Sequence, residues 1–135
     1  MKKENRNNKG FSLVELIVVI AIMAVLVGVL APQFLKYVEK SRQATDIQTI
    51  DNIATSLKTY YADKEGTGTK TIEVTTTSVT SDTAITDAGL STAKLKGKKW
   101  DGNKITITYD IATGVITYSG KSTYYRTSGD QFIPE

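Results

Sequence analysis

Glu15 is the one ionisable side chain between Phe11 and Ala31, in a run otherwise made of apolar and small residues apart from Ser12. An ionised carboxylate near the start of a membrane-spanning stretch costs up to about 3 kcal/mol. Two readings satisfy it: Glu15 reaches headgroup water, or a positive group is supplied inside the membrane or a polymer. Elsewhere the chain is poor in reactive groups. It has no His and no Cys, so it lacks the usual base near neutral pH, a thiol nucleophile, disulfides and the commonest zinc ligands. Catalysis would fall to carboxylates, Lys, Ser or Tyr, and no paired acidic cleft is signalled. Asp101, Asn103, Asp110 and Asp130 are oxygen donors of the kind calcium takes, but Asp and Asn in turns are more often turn formers. Trp100 and Tyr124-Tyr125 are flat rings of the kind that stack on sugars, with a core or interface position the commoner use. No catalytic residue, metal or cofactor is assigned.

The elements that must position Glu15 are plain. Lys2, Lys3, Arg6 and Lys9 stand against one Glu4 before the chain turns apolar at Phe11. Basic residues ahead of an apolar stretch hold that end in the cytoplasm, and the run to Ala31 is about the length a helix needs to cross roughly 30 Å of hydrocarbon. The net charge of +3 is mild, and no nucleic-acid site is evident. A cleavable secretory signal would close its apolar region with small residues and open a new polar domain. Here Pro32 is followed by Gln33 to Lys40, and apolar residues recur at Ile47, Ile50, Ala54, Leu57 and Tyr61, a helical spacing. A continuous helix from Phe11 to about Tyr61 would extend on the order of 75 Å at 1.5 Å per residue.

Lys9-Gly10-Phe11-Ser12-Leu13-Val14-Glu15-Leu16 resembles the processing motif of type IV prepilins and type II secretion pseudopilins, and the resemblance extends to about Tyr61. It implies that a membrane aspartyl peptidase cuts after Gly10, that Phe11 becomes the N-methylated terminus, and that Glu15 pairs with the terminal amine of a neighbouring subunit. Such a pair would compensate a carboxylate in low dielectric, and would set axial register between helices that lipid leaves indifferent. Pro32 lies where many members of the family interrupt their helix. It cannot donate to the Gly28 carbonyl, and Gly28 is itself a poor helix former. Gly28 to Pro32 is therefore a candidate helix break; marking the point where the helix leaves the membrane is the equal alternative.

The fold class expected is α+β: a long N-terminal helix, membrane-spanning then amphipathic, packed on a small antiparallel sheet. The division expected is a leader over 1–10, a transmembrane and filament-core helix over 11–34 and a head over 35–135. Within the head, an amphipathic helix would occupy 35–63, a Thr/Ser-rich loop 64–90 and a sheet 98–135. The loop carries sparse apolar residues, Ile72, Val74, Val79 and Ile85, enough for one short strand. In 104–119, Ile105, Ile107, Tyr109 and Ile111 alternate with polar residues, Ala112-Thr113-Gly114 turns, and Val115 to Ser119 returns, which predicts a β-hairpin with one apolar face. That face needs cover, and the Ile47 to Tyr61 stripe is the natural partner. The tail from Tyr124 to Glu135 adds a further strand or packs irregularly. Without Cys the disulfide-closed C-terminal loop of many Gram-negative pilins cannot form, which favours a Gram-positive pilin or a pseudopilin.

The resemblance implies a structural subunit and no enzyme: a single-pass precursor in the cytoplasmic membrane, N-terminus inside, that becomes part of a surface filament. Its partners would be copies of itself in a helical homopolymer, the prepilin peptidase, and an assembly platform with its ATPase machinery. A major pilin is the favoured form and a type II secretion pseudopilin the alternative. A membrane-anchored adhesive module and an anchored enzyme are the rivals from other classes. Adhesion, motility, DNA uptake and secretion would all be served by the same rod.

Overall fold

In the computed structural model the residues described are Gly10 to Glu135. The basic cluster Lys2, Lys3, Arg6 and Lys9 lies outside them. The first helix, α1 (Leu13–Tyr61), has Pro32 inside it, and the chain divides after Tyr37 into two compact units.

In the first unit the apolar side chains of the helix are exposed among the described residues. No large apolar side chain from Phe11 to Leu35 is less than 49 % exposed. The helix is long and apolar enough to cross a membrane, and hydrocarbon is the environment that such an all-round apolar surface fits.

The second unit is a helix laid on antiparallel strands. On α1, Ile50, Ile53, Ala54 and Leu57 are buried, with Ile47 and Tyr61 packed at the margin. After the helix come β1 (Thr69–Thr75), α2 (Thr83–Asp87), a 3-10 turn (Asp101–Asn103), β2 (Lys104–Asp110), β3 (Ile116–Ser119), β4 (Tyr125–Ser128) and β5 (Gln131–Pro134). The first three strands form one sheet in the order β1-β2-β3, and β4 and β5 form a second. The period of two is kept throughout: Ile72 and Val74 of β1, Ile105, Ile107 and Tyr109 of β2, and Ile116 and Tyr118 of β3 all enter one core with the helix stripe. Register follows from this, with Ile72 opposite Ile107, and Ile107 opposite Tyr118.

The hairpin expected over 104–119 is present. Its turn is closed by Asp110, whose Oδ1 accepts from the Ala112 and Thr113 N–H groups at 2.9 and 3.1 Å, while Gly114 takes φ 75°. Asp110 is thus a turn former. The segment 64–90, read as a loop with room for one short strand, is more ordered than that. β1 pairs with β2 over all seven of its residues, and α2 buries Ala84 and Ile85 under an Asp82 N-cap that accepts from the Ala84 N–H at 2.9 Å. Two inward apolar residues are enough for a strand once a neighbour supplies the ladder. The tail is a hairpin, β4 against β5, with Tyr125 opposite Pro134.

Candidate functional site: the start of the apolar helix

Ser12 stands immediately before α1 and caps it. Its hydroxyl accepts from the Glu15 N–H at 3.2 Å, and its carbonyl accepts from the Leu16 N–H at 3.2 Å. Ser and Glu three residues apart at a helix start form the capping-box pattern, and a carboxylate in the first turn is favoured by the helix dipole. Glu15 is therefore accommodated within its own helix end before any partner arrives, a role the sequence reading did not assign. Gly10 and Phe11 precede the helix and are exposed. A Cβ added at Gly10 would meet nothing within 4 Å, so the packing of the described residues does not demand glycine there.

Gly28 and Pro32 both lie within α1, whose helical assignment continues through them. Gly28 likewise has open space around a built Cβ. In the isolated chain the missing Pro32 donor weakens one turn without ending the helix.

A second constellation sits in the head and was missed. Glu39, Gln43 and Asp46 are buried on α1, where they continue the Ile50–Leu57 stripe backwards in steps of three and four. They grip the segment from Lys96 to Trp100. Asp46 Oδ1 accepts from the Lys96 N–H at 2.6 Å, and its Oδ2 from the Gly97 N–H at 2.7 Å and the Trp100 indole Nε1–H at 2.8 Å. Glu39 accepts from the Lys98 N–H at 3.0 Å, from the Lys99 N–H at 3.1 Å and from the Gln43 amide at 2.6 Å. Gln43 Oε1 in turn accepts from the Ser122 hydroxyl, whose oxygen takes the Tyr124 and Tyr125 N–H groups at 3.1 Å each. Two buried carboxylates are thus satisfied by a strap of main-chain donors, as buried charge requires.

Gly97 is needed for that approach. A Cβ there would lie 2.8 Å from Gln43 Cγ and 2.9 Å from Asp46 Oδ2. Periodicity carried the signal: polar side chains at 39, 43 and 46, in phase with a core stripe, require buried partners. The partners lie fifty or more residues away, and local pattern does not reach that far.

Trp100 is 3 % exposed and packs against Tyr125 and Phe132 at ring separations of 6.5 and 5.7 Å. It belongs to the core, and the sugar-platform reading does not hold for it. Tyr60 and Tyr61 meet edge to face at 4.9 Å beside the core, which is packing. Tyr118 donates its hydroxyl to Asp51 at 3.0 Å; burial first, and then that bond, push its phenol well above the ordinary tyrosine range. Lys70 is held above the usual lysine value by its bond with Tyr61 and then by Asp82, whose carboxylate lies 3.3 Å away.

Residues 5–31 match the family of the prokaryotic N-terminal methylation motif. The chain is also 31 % identical, over 61 residues, to the type IV major pilin protein PilA of Myxococcus xanthus (strain DK1622). That similarity covers 45 % of this chain and 28 % of the pilin, so the chain spans well under half the length of its relative. No solved structure matches it. A methylation motif thus stands at the head of an exposed apolar helix, and the chain is similar over part of its length to a type IV major pilin.

Proposed function

We propose that the chain is a prepilin that becomes a filament subunit, acted on by a peptidase and performing no catalysis itself. The observation that carries this is the methylation motif over residues 5–31 standing at an α-helix whose apolar surface is exposed among the described residues. Lipid would cover that surface before assembly, and like helices of neighbouring subunits after it. Cleavage falls between Gly10 and Phe11, and Phe11 receives the methyl group. The open space around Gly10 supports a glycine selected by a peptidase's binding site. Glu15, already at the favourable end of its helix, is free to take a second partner, the Phe11 amine of the next subunit. The similarity to a major pilin supports that form over a pseudopilin.

The precursor would sit once across the cytoplasmic membrane, N-terminus inside, and would be drawn into a helical homopolymer by a platform and ATPase. Intact mass of the subunit purified from filaments tests the reading. A chain beginning at methylated Phe11 is expected, and Gly10→Val is expected to leave the precursor in the membrane. A subunit still beginning at Met1 would overturn the assignment in favour of a plain membrane-anchored module.

A further inference from the structure

Two spots of opposite charge stand on opposite flanks of the head. On one flank the Leu95 N–H donates to the Thr75 carbonyl at 2.8 Å, which sets Lys94-Leu95-Lys96 beside the end of β1, an outer strand of the three-stranded sheet. Leu95 is buried there while Lys94 and Lys96 are exposed, and the two lysines border a hollow with Thr49 and Asn52 of α1. On the other flank β3 is the opposite outer strand. Its Tyr118 donates its hydroxyl to Asp51 at 3.0 Å and its N–H to the Gly129 carbonyl at 2.7 Å. Asp130 follows at the exposed two-residue turn between β4 and β5. Thr49 and Asp51 are about 200° apart around α1 at 3.6 residues per turn, so helix and sheet alike separate the two spots. Among the described residues, none of Lys94, Lys96, Asp51 and Asp130 forms an ion pair.

We infer that these spots are the two halves of one contact between copies of the chain: the Gly129-Asp130 turn of one head seats at the hollow beside Lys94 and Lys96 of the next. The inference rests on the filament reading proposed above. Charge complementarity selects a second copy as the occupant, because one head carries both signs on faces that its own fold holds apart. A contact between unlike faces is heterologous. It leaves a free face of each kind at the two ends of any row, and so propagates where a two-fold pair would stop. Exposed ion pairs add little affinity, but they fix register and reject misaligned neighbours, whose like charges repel. The turn is already tied to Tyr118, and Lys94-Leu95-Lys96 to Thr75 and Asp46, so docking orders little beyond side chains. Asp51 adds negative potential to the face that presents Asp130.

The test uses filaments sheared from cells and the full chain solubilised from membranes in detergent. A zero-length carbodiimide joins carboxylates to amines in contact, and mass spectrometry reads the linked peptides. Asp130 linked to Lys94 or Lys96 is expected in filaments and not in the solubilised monomer. The second arm exchanges charge in cells carrying each variant as the only copy. Asp130→Lys alone, and Lys94→Glu with Lys96→Glu, are each expected to lower filament yield about tenfold or more, and all three substitutions together to restore it. The Tm of each solubilised variant should match wild type; if one falls, the cross-link in wild-type filaments still decides. Filaments without the Asp130 links, or normal yields from both reversals, would overturn the inference and leave the filament reading standing. A wild-type chain that forms no filaments would remove that reading, and the inference with it.

Discussion

Glu15 and Asp46 are both carboxylates on one helix, and their surroundings give them opposite employment. Glu15 lies at the helix start with its own N–H on Ser12, and its carboxylate is proposed to meet a neighbour's amine. Glu15→Ala should still insert and be cleaved, yet the yield of sheared filaments should collapse; Glu15→Gln should also assemble poorly, because the charge is what the pairing needs. Normal filament yield from Glu15→Ala would remove that role. Asp46 is fully buried and receives three donors. Asp46→Ala would orphan them, at about 1–3 kcal/mol each without full additivity. In the detergent-solubilised chain a fall in Tm of about 10 °C or more is expected. Gly97→Ala should act on the same strap through crowding, at about 1–3 kcal/mol, and a wild-type melting curve for both variants would show that the strap does not stabilise the head.

α1 carries two environments in one element. Its first part is apolar all round, and its second has a single buried stripe whose early positions are polar. Continuous helix through Gly28 and Pro32 shows that a missing donor is tolerated when the rest of the ladder holds. The break proposed there belongs to the assembled state, where packing among subunits can reward unwinding that the isolated helix does not need. Hydrogen exchange on filaments should find the amides around Gly28 less protected than those one turn to either side. Exchange as slow as in the flanking turns would place no break there. The sheet is governed more simply, since β1, β2 and β3 each alternate inward apolar and outward polar residues and share one buried face.

The head as a whole is tied to α1 by apolar burial and by long-range polar ties, Glu39, Asp46 and Asp51 each bonding residues far along the chain. One tie should be visible in pH dependence. The Tyr118 pKa is raised above its ordinary value of 10.0, so the folded state holds this proton more tightly than the unfolded chain does. The contribution is fully present below about pH 10 and is lost as pH rises from there through the folded value. Tyr118→Phe should cost about 1 kcal/mol at neutral pH through the lost bond to Asp51. It should also flatten the fall in stability above pH 10, and an alkaline limb identical to wild type would show that Tyr118 does not report on folding.

Composition and order along the chain were enough to determine the apolar helix, the amphipathic stretch behind it, the 104–119 hairpin and the methylation motif within residues 5–31. Each of these is a local or periodic property, set by what lipid, a helix face or a pleated strand will accept. Tertiary structure decided where the polar residues at 39, 43 and 46 find partners and why Gly97 must be glycine. It also decided that Ile72 and Val74 suffice for a strand, and that Trp100 is core. Those outcomes depend on groups far apart in sequence, the donors to Asp46 lying fifty or more residues away and coming within 3 Å of it, and β1 pairing with the distant β2. The free energy of such contacts lies in desolvation and donor geometry that no stretch of sequence contains by itself.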